Sequence, residues 1–398
     1  MLFTPARHEA LTDQRFGEAA ARAAIARIAA RAADDLDEAD GRWPLDPEDA
    51  LAEDSGPESS LYCGAAGIYW ALGELADAGY VVPDLADRQR VETLEAKLVA
   101  EPDDEAGLGG VWGGIPGVLA VAERRWPDAA RRDRLAAFAR ESLVSPTLEV
   151  MSGHPGHMEL AAQLHVRTGE PHWRELWHAG AERLLEEWQA DDELGAWLWT
   201  QQLGRNQTRY LGAAHGLVGN VHALLRLPDR RDEVEARTVA TLSRLAVVDE
   251  RHANWPPEAG EPLEGRGRIR VQWCHGAPGV LIALWDVAGD DDEWSALLLA
   301  AGQLVWDAGP IRDAAGLCHG TAGNAYALLA LWRRTGDEKW LERARAFAQH
   351  AALQVETRVA RTGRGWHSLY TGDEGVALCL ASCLTGDSRF PVSERLIT

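Results

Sequence analysis

Lysine is almost missing from this chain of 398 residues. Of its 40 basic residues only Lys97 and Lys339 are lysines, and 62 acids bring the formal net charge to −22. Such a balance repels phosphate backbones and anionic lipid surfaces, so neither nucleic acid nor a membrane is an expected partner. The arginine-for-lysine usage reads as coding bias. Val and Ile are sparse, which leaves little strand signal, whereas the abundant Ala, Leu, Arg and Glu lose little rotamer freedom in a helix. Long apolar runs are lacking too. The longest, Ala325 to Trp332, is far short of the roughly 18 residues a membrane span needs, and residues 1–15 have no signal-peptide core. Five cysteines are an odd number in a chain this long, which argues against a secreted disulfide framework. Reduced thiols in the cytoplasm are expected.

Hydrophobic residues make up 46% of the chain, enough for a sizeable core. The reading is one domain over 1–398, with an N-terminal helical extension over about 1–60 that contains an Ala/Arg-rich helix (Gly17 to Asp37) and a polar loop (Leu45 to Ser60). Internal repetition is the most informative feature. A Gly-x-x-Gly motif followed by an apolar stretch recurs seven times, at Gly64/Gly67, Gly114/Gly117, Gly153/Gly156, Gly216/Gly219, Gly276/Gly279, Gly320/Gly323 and Gly372/Gly375. First glycines lie 50, 39, 63, 60, 44 and 52 residues apart, room for two helices per unit. Gly156 to Trp173 and Gly323 to Trp340 align without a gap and share Arg-Thr-Gly-acidic-x-x-Trp. Trp173, Leu176, Trp177, Gly180, Leu184 and Trp188 share one helical face, as do Trp340, Leu341, Ala344, Phe347, Ala348 and Ala351. The half-polar helix is therefore the outer one of each unit, and the helix that is apolar nearly all round is the inner one.

Three units place a metal-type residue against the first glycine: Ala214-His215-Gly216, Cys274-His275-Gly276 and Cys318-His319-Gly320. Stacked around an axis, these loops converge at one end. A Cys/Cys/His set from two loops is a zinc environment, and three protein ligands leave an exchangeable fourth position. Cys379 and Cys383 are read as core residues, and Cys63, in the slot of His215, as a small buried residue. His154, His222, His275 and His367 are read as loop or supporting groups. The Pro/Gly-rich stretch Asn254 to Arg270 ends four residues before Cys274, where a mobile lid would sit.

The pattern resembles the lanthionine synthetase C-like family, which includes lanthipeptide cyclases and LanC-like proteins. The resemblance runs from about Tyr62 to Phe390, and its most specific pieces are Tyr210 to Gly219, Trp273 to Gly279 and Leu317 to Gly323. It implies an all-α fold, an α/α toroid of seven inner helices ringed by seven outer ones, with one zinc at its mouth. It also implies Cys274, Cys318 and His319 as zinc ligands, His215 as the proton-transfer histidine, Arg270 as an active-site arginine and Glu149 as an acidic site residue. The stand-alone LanC-like branch is the nearer in wording.

The expected chemistry is addition of a thiol to a dehydroalanine or dehydrobutyrine residue. Zinc removes the thiol proton, His215 protonates the α-carbon and Arg270 stabilises the enolate. The thiol is either glutathione or a peptide cysteine, and the alkene arises elsewhere, in a peptide or protein partner. Two other classes compete. A non-catalytic protein that retains zinc and docks a thiol or peptide has no need of His215 and Arg270. A glycoside hydrolase on the same kind of fold would need a carboxylate pair and leaves the Cys/Cys/His set unexplained.

Overall fold

The computed structural model describes residues 1–50, 55–80, 85, 87–103, 107–288 and 292–397. Fourteen α-helices occur among the described residues. In chain order they are α1 (Glu18–Asp34), α2 (Ala65–Asp77), α3 (Arg88–Ala100), α4 (Ile115–Arg125), α5 (Ala129–Ser142), α6 (His154–Thr168) and α7 (Pro171–Glu187). There follow α8 (Leu217–Leu224), α9 (Arg231–Leu245), α10 (Ala277–Ala283), α11 (Asp292–Ala308), α12 (Thr321–Thr335), α13 (Glu338–Thr362) and α14 (Asp373–Thr385).

The seven even-numbered helices are the inner ones, and each begins at the first glycine of its repeat. Burial separates the two layers. In α12 every residue from Thr321 to Leu331 is buried, whereas α13 buries one face, including Trp340, Ala344, Phe347, Ala348 and Ala351. The ring closes where α14 packs on α2. Its seventh outer position is filled from the other end of the chain, because α1 packs against α14. The predicted N-terminal extension is thus part of the ring.

Close backbone approach explains the glycine pairs. At Gly323 an added Cβ would lie 1.9 Å from Leu317 O, and at Gly279 2.2 Å from Trp273 O. The loop before each inner helix folds back onto its first turn, and only a residue without a Cβ lets it do so. The shared Arg-Thr-Gly-acidic-x-x-Trp segment is a helix stop and restart. Gly169 and Gly336 take left-handed C-cap conformations at φ 69° and 68°. Thr168 and Thr335 each accept from the next acidic residue's N–H at 3.2 Å. Trp173 and Trp340, at 1% and 2% exposure, then anchor the outer helix. Truncating either indole would cost about 3–5 kcal/mol.

Three two-stranded antiparallel hairpins supplement the helices: β1–β2 (Gln189–Asp191, Ala196–Leu198), β3–β4 (Gln201–Leu203, Asn206–Thr208) and β5–β6 (Val247–Val248, Ala253–Asn254). They occupy the two longest repeat spacings. Residues 51–54 of the predicted polar loop lie outside the described residues, but Asp46 and Ser60 are buried. The stretch 254–270 is tied down rather than loose. Pro257 O accepts from Leu211 N at 3.0 Å, Ala259 N donates to Arg209 O at 2.9 Å, and the Asn254 amide donates to Arg270 O at 3.1 Å. Among the described residues no helix is long and apolar enough to cross a membrane.

Candidate active site

Repeat register brings the two cysteines together. In six of the seven units the residue two before the first glycine joins a chain of backbone bonds around the mouth. Trp112 N donates to Met151 O (3.4 Å), Tyr62 N to Trp112 O (3.0 Å), Tyr370 N to Tyr62 O (3.2 Å), Cys318 N to Tyr370 O (2.8 Å) and Cys274 N to Cys318 O (3.3 Å). Cys274 and Cys318 hold the same register position in adjacent units, so the bond that stitches the loops also sets the thiols side by side. Below them aromatics fill the bore: Tyr370 lies between Trp112, Tyr62 and Trp273, with ring centroids 4.8, 5.1 and 5.2 Å away.

The two thiols are hydrogen-bonded to each other and differ in acidity. A hydrogen bond from Cys318 lowers Cys274, burial opposes it, and the Gln272 amide, donating to Cys274 Sγ at 2.9 Å, helps, as do the charges of His215 and Arg270. The result for Cys274 is about 7. Cys318 is pushed up by the same contact and by burial. His319 is half-buried. Burial and the nearby Arg7 and Arg268 charges lower its pKa, which keeps the ring neutral and able to bind a metal. Among the described residues its ring has no hydrogen-bond partner. Donor chemistry therefore fits zinc: two sulfurs in contact, one a ready thiolate, and an imidazole with no competing bond. Among the described residues no three His, Cys, Asp or Glu side chains stand preassembled around one metal position.

His215 lies at the same mouth. Its Nδ1 is 3.0 Å from Glu149 Oε2. Glu149 is fully buried, and its carboxylate also accepts from Met151 N and Ser152 N, both at 2.8 Å. A carboxylate so placed accepts from Nδ1–H, which assigns the proton of the neutral ring to Nδ1 and leaves Nε2 as its accepting nitrogen. The His215 side chain is 39% exposed and that of Glu149 0%, so the imidazole faces the mouth and the acid orients it from behind. Arg270 donates from Nη1 to Gly265 O at 3.0 Å. With Tyr210, Glu258, Glu261 and His275 it lines a cavity of about 190 Å³ beside Cys274.

The other candidates divide cleanly. Cys379 and Cys383 are fully buried, as expected of core residues. His222 is hydrogen-bonded to buried Glu159, and His367 to buried Glu374 and to half-buried Asp35 at the C-terminus of α1. Cys63, read as a small buried residue, lies nearer the site than expected. It is only half-buried, its Sγ is 3.7 Å from Thr371 Oγ1, and it acts electrostatically on Cys318.

Sequence reasoning missed Gln272, Arg7 and Arg268. Arg7 arrives on an N-terminal strap. Ile269 N donates to Thr4 Oγ1 at 3.0 Å, and Arg312 N donates to Arg7 O at 2.9 Å. The strap thus bridges the segments leading into Cys274 and Cys318. Burial and the charges of Arg268 and Arg270 depress the Arg7 guanidinium, while Cys274 raises it. In a strongly acidic chain, Arg7 and Arg270 thus act on Cys274 and Arg7 and Arg268 on His319.

The family model for lanthionine synthetase C-like protein matches residues 17–394. LanC-like protein GCL1 of Arabidopsis thaliana is 34% identical over 192 residues, 46% of this chain and 43% of its own length. Glutathione S-transferase LANCL1 of Danio rerio is 34% identical over 194 residues, 47% and 46% of the two chains. The matched stretch spans less than half the length of either relative. Nisin cyclase has the same fold, with a TM-score of 0.61 and 16% identity over 85% of this chain and 92% of its own.

Proposed function

We propose that this chain, which belongs to the lanthionine synthetase C-like family, joins a thiol to a dehydroalanine or dehydrobutyrine residue on a zinc ion held by Cys274, Cys318 and His319. The observation that carries the reading is the pair of touching thiols set by repeat register, with the charges of His215 and Arg270 both acting on Cys274.

Zinc held there supplies a substrate thiol already deprotonated at neutral pH, where only a few per cent of an ordinary thiol is ionised. The thiolate sulfur bonds the β-carbon of the alkene, and the π electrons move onto the peptide carbonyl oxygen as an enolate. Arg270 places positive charge near that oxygen. His215 delivers a proton from Nε2 to the α-carbon, and Glu149 holds the ring and stabilises its charged form before delivery. Arg7 and Arg268 add positive charge that suits a thiol bearing carboxylates. Glutathione is the thiol of that description, and one relative is named a glutathione S-transferase. A peptide cysteine is the other donor the site admits.

The test is direct. Zinc-loaded protein incubated with glutathione and a dehydroalanine peptide is expected to add one thiol mass to the peptide faster than buffer does, and zinc-free protein is not. Glutathione is expected to outcompete uncharged 2-mercaptoethanol in the native protein, and Arg7→Ala to narrow that preference. If no thiol adds and no dehydrated peptide with its own cysteine cyclises, the reading gives way to a non-catalytic protein that binds zinc and a thiol or peptide.

A further inference from the structure

The residue after the second glycine of each repeat is buried in all seven units but differs in chemistry. It is Ile68, Val118, Val280 and Val376 in four units, and His157, Asn220 and Asn324 in the other three. Each polar one donates to a backbone carbonyl of the unit before it. His157 Nε2 is 2.8 Å from Gly109 O, Asn220 Nδ2 is 3.0 Å from Leu148 O, and Asn324 Nδ2 is 3.0 Å from Val271 O. The acceptor always lies five residues before the first glycine of its own unit, so one device is used three times. Burying an amide costs stability unless its hydrogen bond is made, and an apolar side chain serves at this position in four units. The inner helix itself does not require the polar residue.

Two of the three bonds join loops that the site needs together. Asn220 is on α8, which follows the loop of His215, and it grips the carbonyl next to Glu149. Asn324 is on α12, which follows the loop of Cys318 and His319, and it grips the carbonyl between Arg270 and Gln272. The adjacent carbonyl, Arg270 O, is held by the buried Asn254 amide at 3.1 Å. That segment is therefore fixed at two successive peptides, just where Gln272 donates to Cys274 Sγ at 2.9 Å. His157, on α6, grips a loop that bears none of the residues proposed for the chemistry.

We propose that Asn220 and Asn324 are positioning residues for the thiol addition. Asn220 sets Glu149 against His215, and Asn324 sets Arg270, Gln272 and Cys274 against Cys318 and His319. Both act through the loops they hold, where a misplacement of about 1 Å is enough to slow a reaction a hundredfold. The role in turnover rests on the function proposed above, whereas the clamping of the loops can be read without it.

The test gives each donor position the residue that other units have there. Asn220→Val, Asn324→Val and His157→Val each remove one bond of the same kind, so similar falls in thermal midpoint are expected of all three. Turnover is expected to separate them. In folded, zinc-loaded protein kcat falls about tenfold or more in Asn220→Val and in Asn324→Val, and stays within about twofold in His157→Val. Equal loss of kcat in all three variants, or full kcat in both asparagine variants, overturns the proposal. Two readouts need no turnover. Long-range proton–nitrogen spectra of isotope-labelled histidine are expected to show a neutral His215 with its proton on Nδ1 in the native and His157→Val proteins, and mixed tautomers in Asn220→Val. Asn324→Val is expected to hold zinc about tenfold more weakly, and His157→Val to hold it as the native protein does. If the native protein adds no thiol but both shifts occur, the reaction falls and the clamps stand. An unchanged His215 spectrum with unchanged zinc affinity overturns the clamps.

Discussion

Two histidine–glutamate pairs in this molecule are nearly identical in their contact and opposite in their setting. His215 Nδ1 lies 3.0 Å from Glu149, and His367 Nδ1 lies 2.9 Å from Glu374. Both glutamates are fully buried, and both accept backbone N–H groups, Glu149 from Met151 and Ser152 and Glu374 from Ser368. The His215 side chain is 39% exposed beside two thiols, whereas that of His367 is 2% exposed. The second nitrogen of His367 is spent on Asp35, at 2.8 Å. Asp35 caps the C-terminus of α1, so the inner pair staples the outer helix that closes the ring. A histidine held by a carboxylate is therefore not in itself a sign of chemistry. What distinguishes His215 is its access to the mouth and the neighbouring Cys274 thiol, on which its charge acts.

The largest effects are expected where the mouth loses its sulfur. Cys274→Ala, Cys318→Ala and His319→Ala are each expected to lose zinc and to drop thioether formation to background, checked by metal content and peptide mass. Cys379→Ala is expected to keep both, because that thiol lies in the core. Full zinc retention in the Cys318→Ala protein would remove the metal assignment, and with it the contrast between the two histidine pairs.

Exchanging the lesion between the pairs comes next. His215→Ala is expected to keep zinc and thermal stability while slowing turnover by roughly two to four orders of magnitude. His367→Ala is expected to do the reverse. It leaves Glu374 and Asp35 without their cation, at about 3–5 kcal/mol of stability, while the folded protein turns over normally. If both variants lost activity to the same degree at equal fold, the division of roles would be wrong.

Much of this was legible in the sequence, for identifiable reasons. The inner helices announced themselves because backbone contacts at Gly279 and Gly323 admit no side chain. Cys274 and Cys318 could be paired on paper because they share one register position, and register is what the structure uses to join them. Arg7 could not be found, since a strap brings it across more than 260 residues of chain. Gln272 has no motif, and its role depends on the turn that aims it at Cys274. The hairpins were invisible because strands of two or three residues carry no periodicity, although the long spacings they fill were in plain view.

The inner pair also carries a pH signature. Burial works against charge on His367, but Glu374 and Asp35 outweigh it and raise its pKa to about 9. With the folded value above the unfolded one, this stabilisation is complete below about pH 6.5 and fades as pH rises through 9. Its size is on the order of 3 kcal/mol. Asp373, raised by burial and Glu374 to about 7, makes stability fall with rising pH over the window below that. Thermal midpoints measured from pH 6 to 9.5 are expected to decline in the native protein and to decline less in His367→Ala. A flat profile would mean that His367 is not held charged.

The finest distinction lies in the acids. Glu149→Gln changes little in shape but much in hydrogen bonding. The carboxylate accepts from Met151 N, Ser152 N and His215 Nδ1, whereas an amide offers one accepting oxygen and a nitrogen that only donates. Turned to keep a backbone partner, the amide presents N–H to Nδ1, which moves the imidazole proton to Nε2 and removes the negative charge that favours the cationic ring. His215 then protonates less readily and is a weaker reservoir for the α-carbon. Turnover at neutral pH is expected to fall by about tenfold, less than for His215→Ala, and to recover partly as pH is lowered. The matching Glu374→Gln change is expected to lower stability and leave the pH–rate profile in place. Should Glu149→Gln alter only the thermal midpoint, Glu149 would be a structural acid like Glu374, and the two pairs would differ in nothing but exposure.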